Sequence, residues 1–436
     1  MLINTRGKSS GPVMNKMTSS QKKKVVAGST GNAVEYIDWA IYASLAPIFA
    51  PKFFPSGNEG TALLSALAIF AAGFIMRPIG GAALGSFADR HGRKKGLALS
   101  ILIMSLGGFV IAFSPTYEQV GWFASIILVL ARLAQGFAAG GEYGTSSSYL
   151  VESAAEGRRA FAGSFQQVSI TAAILAASVL SFIITSSMSS EALSEWGWRL
   201  AFATASALGF LVLWFRSTVG ESESFEEMKE KEEYVASPLK SLIKDHRRSV
   251  MWIFLITGPV ALLHYIWVIY MPAFANSAYD IPLSLTLLSS LIATAVLIVL
   301  LPIFGNLSDK YGRKPMLLFS CGGSLLLSFP AFYLLDNGFW ALLCFQLLAV
   351  FFLAPYLASL AAIMSEQFPA SVRTIGIGLP YALAVAIFGG TAPYIITAMS
   401  TSGLLGFIWI YPAVMALAGI VAFSLIKETS RLPLDR

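Results

Sequence analysis

Charged residues are scarce. Asp, Glu, Lys and Arg make up 12% of the 436 residues, about half the share usual for a soluble domain. Hydrophobic residues make up 56%, and the mean hydropathy is +0.69. Cysteine is almost missing. Cys321 and Cys344 both fall inside apolar runs, so neither a disulfide framework nor a cysteine metal site can be built. The sequence contains no nucleotide-binding loop, metal-ligand cluster or nucleophile–base arrangement, which argues against an enzyme and implies no cofactor. Met1–Thr30 is polar and basic, with "QKKK" at Gln21–Lys24. It has no short apolar core before a cleavage site, so it does not read as a secretory signal; a disordered cytoplasmic tail is expected.

Apolar runs of about 20 residues, each long enough to span a bilayer core, recur along the whole chain. They are continuous rather than alternating, which excludes a β-barrel. The expected class is therefore an all-α integral membrane protein in contact with the lipid bilayer. Gly, Pro and charge punctuation predict twelve transmembrane helices, near 33–55, 62–87, 96–114, 121–150, 162–187, 197–218, 250–275, 282–304, 316–335, 338–365, 373–399 and 403–426.

The thirty Lys and Arg residues set the orientation. All but Lys52, Arg77, Arg132 and Arg199 fall in the two terminal segments or in alternate loops, on one side of the membrane. Cytoplasmic loops carry the positive charge, so a multi-pass protein of the inner membrane with both termini in the cytoplasm is expected. The net charge of +6 is thereby a topology signal and not a sign of nucleic-acid binding.

Two loops repeat. "GSFADRHGRKK" begins at Gly85 and "GNLSDKYGRKP" at Gly305, with Gly, Asp, Gly, Arg and Lys displaced by 220, half the chain. The expected organisation is a tail at 1–30, six-helix bundles at 31–219 and 249–427, a central loop at 220–248 and a tail at 428–436. Parallel halves of this kind are a transporter architecture, with the substrate held between them near the midplane. The Asp and Arg residues of these loops, Asp89, Arg93, Asp309 and Arg313, can form charge-assisted pairs across the cytoplasmic mouth. "VESAAEGRRAF" and "MSEQFPASVRTI" also end corresponding helices, which suggests a second gate layer of Glu152 with Arg159 and Glu366 with Arg373.

Charges inside the spans are costly and must meet a partner or a cavity. Glu35 and Asp38 sit three residues apart in "GNAVEYIDWAIYASLAPIFA" and so share one helix face. Arg77 lies at similar depth on the second span and is expected to pair with Asp38 or Glu35 until a proton releases it. Arg132, alone in mid-span, needs an anion; its planar fork suits a substrate carboxylate. Gln135, Gln166, Tyr42 and Tyr381 are candidate cavity donors. His264 is a candidate relay or ligand. Trp267 and Trp39 offer faces to a cation, although packing is their commoner role.

The chain resembles the major facilitator superfamily, and within it the metabolite:proton symporter branch. The matching stretches are "GNAVEYIDW", "FIMRPIGGAALGSFADRHGRKK", "RLAQGFAAGGEYGTSSSYLVESA" and "FPASVRTIGIGLPYALAVAIFGGTAP". Several motifs, "GGEYGTS" and "YALAVAIFGG" among them, resemble the α-ketoglutarate-carrying members more than the betaine/proline or citrate ones. The resemblance implies a monomer that takes up a small organic acid or zwitterion on the proton gradient. It makes Asp38 the first choice for the coupling proton, ahead of Glu35, and it draws attention to His91 in the gate motif; Glu142 in "GGEYG" is a candidate either for the proton path or for bracing the fourth helix. Ile37, Ile266, Val268 and Ile269 depart from the pattern, the last three standing where the α-ketoglutarate carriers have small hydroxyl residues.

Overall fold

The computed structural model describes residues 19–55, 58–91, 93–152, 154, 157–217, 242, 244–369, 372–432 and 434. Most of the expected central loop and the start of the N-terminal tail lie outside these residues. Side chains are described from residue 33 onward, and those of Asp89, His91, Arg93 and Glu142 are outside the described set.

Among the described residues, twelve helical rods follow one another. We number them α1 (Ser19–Phe53), α2 (Glu59–His91), α3 (Arg93–Phe113), α4 (Phe123–Ala138, continued through a 3-10 turn into Glu142–Glu152), α5 (Arg159–Ser187) and α6 (Trp198–Ser217). The second six are α7 (Arg247–Tyr279), α8 (Leu283–Tyr311), α9 (Arg313–Leu334), α10 (Phe339–Ser365), α11 (Arg373–Thr401) and α12 (Ile410–Leu425). Eight helices among the described residues are long and apolar enough on their own to cross a membrane. Among the described residues α1 runs from Ser19, ahead of the expected start; no proline interrupts 19–32, so the helix covers the described end of the expected tail.

The internal repeat is visible in the packing. α1 lies on α5, α2 on α4, and α3 on α6; six helices later, α7 lies on α11, α8 on α10, and α9 on α12. The two halves meet along α5 against α8 and along α2 against α11. Large apolar side chains such as Leu326, Trp340, Phe113 and Leu425 point outward and exposed, as lipid-facing residues must. In hydrocarbon the helices gain little from apolar burial against one another, so close approach through small residues matters more. Gly136 on α4 sits against the Gly73 backbone of α2 with no room for a Cβ.

α7 and α11 each loosen into a π turn at mid-length, Tyr265–Tyr270 and Val385–Gly390. These turns carry Tyr265 and Val385 to the junction between the halves.

Candidate functional site

α1 presents Glu35 and Asp38 to two different helices. Arg77 of α2 reaches Glu35 at 2.7 Å, and Arg132 of α4 reaches Asp38 at 2.6 Å. All four side chains are buried. Two charges that deep repay their desolvation only when paired. Depth along the spans left Arg77 a choice of two partners; Glu35 is the one it meets. Among the described residues, Asp38 is held by one hydrogen bond, from Arg132 Nη1.

Arg132 thus meets a protein carboxylate through Nη1, while its Nε and Nη2 have no hydrogen-bond partner among the described residues. It is wholly enclosed in the first half, lying over the Tyr42 ring at 3.8 Å. Two other expected cavity donors are also turned into that half. Tyr42 donates to the Ala66 carbonyl, and Gln135 donates to the Met104 carbonyl. Trp39 lies beside both arginines: the guanidinium carbons stand 4.8 Å (Arg77) and 5.5 Å (Arg132) from its ring centre.

The space between the halves is contracted to about 20 Å³, room for little more than one water. Tyr36 and Gln167 line it from the first half, and His264, Tyr265, Tyr356 and Tyr381 from the second. Of these, only His264 and Tyr381 were anticipated from the sequence. Gln166 is instead held by Ser146, and its neighbour Gln167 faces the cavity. Trp267 packs edge-on against Phe345 inside the second half. Mid-span position was the available signal for Tyr265 and Tyr356, since interface anchoring does not explain a phenol well inside a span; Tyr36 sits near the start of its expected span and carried no such signal.

Aromatic rings close the cavity. Tyr143 and Tyr381 stack across the halves with centroids 3.7 Å apart, and the Tyr36 and Tyr381 hydroxyls meet at 3.4 Å. Phe74 meets Tyr265 at 5.3 Å, again from one half to the other.

The basic end of the bundle holds an ionic lattice. Asp309 accepts hydrogen bonds from the Ala160 and Phe161 N–H groups at 2.9 and 2.8 Å, so a carboxylate of α8 caps α5 of the other half. Arg313 donates to Asp309 at 2.8 Å and to Glu366 at 3.0 Å. The second layer is crossed relative to expectation. Glu152 pairs with Arg373, and Glu366 stands 3.7 Å from Arg159. The end of α4 packs on α11 of the opposite half, so each glutamate faces the other half's arginine.

The C-terminal segment straps this lattice. Glu428 accepts from the Arg313 and Lys314 N–H groups at 3.0 and 2.9 Å, and Thr429 donates to Glu366. Arg159 donates to the Leu432 carbonyl at 2.7 Å, and Arg373 to that of Leu434 at 3.1 Å. Burial opposes the Glu428 charge, but the backbone donors outweigh it and hold its pKa below the ordinary value. At the opposite end, Arg199 donates to the Ala112 and Ser114 carbonyls at 2.9 and 2.6 Å, satisfying acceptors left over where α3 ends.

Comparison with known proteins agrees with this picture. The Major Facilitator Superfamily model matches residues 29–379. The chain is 39% identical to the alpha-ketoglutarate permease of Escherichia coli over 94% of both chains. It is 30% identical to a glycine betaine/proline/ectoine/pipecolic acid transporter of Dickeya dadantii, over 95% of this chain and 84% of that protein. An inward-open structure of the xylose transporter from E. coli superposes with a TM-score of 0.72 at 19% identity, covering 95% of this chain and 98% of that one.

Proposed function

The chain belongs to the Major Facilitator Superfamily, and on that footing we propose that it is a proton-coupled symporter that takes up a small organic acid, a dicarboxylate such as α-ketoglutarate, by alternating access. The observation that carries this reading is the pair of arginine–carboxylate contacts on one face of α1, Glu35–Arg77 and Asp38–Arg132, at the depth of the cavity. The basic end is assigned to the cytoplasm, with both termini there, by the positive-inside rule.

The chemistry follows from charge balance. The two pairs together are neutral. A dicarboxylate adds two negative charges to a dry site, and each coupling proton taken up offsets one of them. Arg77 has the cavity tyrosines Tyr36, Tyr265 and Tyr381 as electrostatic neighbours, so it is the cation assigned to the substrate, with Glu35 as its resting counter-ion. Asp38 is assigned the proton, because among the described residues one hydrogen bond holds it and the aromatic faces around Arg132 can carry that cation while Asp38 is neutral. The lattice at the basic end closes one face of the cycle and separates when that face opens.

The Dickeya relative supports a second reading, uptake of a zwitterion of the betaine or proline type, with Glu35 facing the cationic end. Uptake of labelled substrate into proteoliposomes under an inward proton gradient separates the two. Concentrative uptake of α-ketoglutarate supports the first; uptake of glycine betaine without any α-ketoglutarate uptake favours the second.

A further inference from the structure

The ion pairs leave His264 without a role. It ends the first segment of α7, immediately before the π turn. Its side chain is buried at 7% exposure and lines the cavity, and its Nε2 has no hydrogen-bond partner among the described residues. A buried ring nitrogen left unpaired is unfavourable, and the closed protein offers nothing in return. Gln167, itself buried, looks into the same space from α5 of the other half.

The position of His264 relative to Arg77 gives the site two ends. Arg77 rests on Phe74 at 4.1 Å, Phe74 meets Tyr265 at 5.3 Å, and Tyr265 meets His264 at 6.1 Å. Tyr265 thus stands between a cationic end and an imidazole end, and Val260 and Ala261 line the same cavity as His264.

Building on the organic-acid reading, we infer that His264, with Gln167 facing it, is a second polar pole that receives the far carboxylate of a two-headed substrate while Arg77 holds the near one. The imidazole N–H donates to the far carboxylate, and Gln167 adds an amide donor from the opposite half. A substrate spanning both poles therefore draws the halves together. The substrate class is an acid with polar groups at both ends of a short carbon chain. A monoacid with an apolar tail leaves His264 unpaired and binds more weakly.

The test compares α-ketoglutarate with 2-oxopentanoate, which has the same chain without the far carboxylate, in proteoliposomes of the full-length protein. Wild type is expected to have the lower KM for α-ketoglutarate. His264→Leu is expected to raise that KM about tenfold, the size of one lost hydrogen bond to a charged group, while the KM for 2-oxopentanoate moves less than about twofold. Gln167→Leu is expected to show the same split, and it serves if His264→Leu fails to fold. Equal KM changes for both acids, or no change for α-ketoglutarate, would overturn the inference. A wild-type protein that transports neither acid would instead overturn the organic-acid reading, and this inference with it.

Discussion

Arg373 at the start of α11 is ion-paired with Glu152 at the end of α4, so one guanidinium and one carboxylate link the two halves at the basic end, beside the Asp309 cap on α5 and the Arg159–Glu366 contact. The arginine is enclosed, whereas the Glu152 side chain is 44% exposed. Solvent screening therefore limits the pair to about 1 kcal/mol, roughly a fivefold bias toward closure at this end. Glu152→Gln is expected to shift the population toward the form open at this end. Alkylation of a cysteine placed at Ser147 should speed up by about that factor, and Glu152→Asp, which keeps the charge, should stay closer to the slow rate. An unchanged alkylation rate in Glu152→Gln would show that the contact does not hold the halves together.

Trp39 supports both arginines at once. Its removal takes a ring face from Arg77 and from Arg132, each contact worth about 0.5–2 kcal/mol when desolvated. Trp39→Leu is expected to raise the KM for the transported acid and to weaken the dependence of uptake on external pH, because both ion pairs lose their shared neighbour. Trp39→Phe, which keeps a smaller ring, should fall between Leu and wild type. A uniform loss of protein at the membrane with unaltered KM and pH profile would mean that the indole only packs.

Glu428 ties the strap to pH. Its pKa is held below the ordinary value of about 4.3 because, against the cost of burial, backbone N–H groups of Arg313, Lys314 and Ser430 favour the charged form. A carboxylate with a depressed folded-state pKa stabilises the fold above its unfolded pKa. That contribution fades as pH falls toward the lower folded value. Glu428→Gln should therefore melt below wild type at pH 7, and the gap should narrow below about pH 4. A gap of the same size at both pH values would place the effect in shape and not in charge.

Much of this arrangement is legible in the chain before any coordinates. The spans, the repeat at Gly85 and Gly305 and the embedded charges follow from hydropathy, spacing and the cost of burying ions. Partner choice does not. Asp38 and Glu35 share one face of α1, but which arginine each meets depends on how α2 and α4 are rotated against it, and no local pattern fixes that rotation. One residue along a helix turns a side chain by about 100°, enough to send Gln166 to Ser146 and Gln167 to the cavity. The crossed pairs Glu152–Arg373 and Glu366–Arg159 are contacts between halves, whereas motif reading sees each half separately. The strap at Glu428 was hidden for a similar reason: its partners are backbone N–H groups, which no residue type announces.

The Asp38–Arg132 pair is the centre of the account, and one measurement addresses it directly. Labelled α-ketoglutarate uptake into proteoliposomes is followed with and without an inward proton gradient, alongside exchange of internal for external substrate, in wild type and Asp38→Asn. The account predicts that the gradient drives uptake in wild type, that Asp38→Asn loses the gradient-driven component, and that exchange persists because Arg77 and the cavity are intact. Gradient-driven uptake that survives in Asp38→Asn would contradict the assignment of the proton to Asp38.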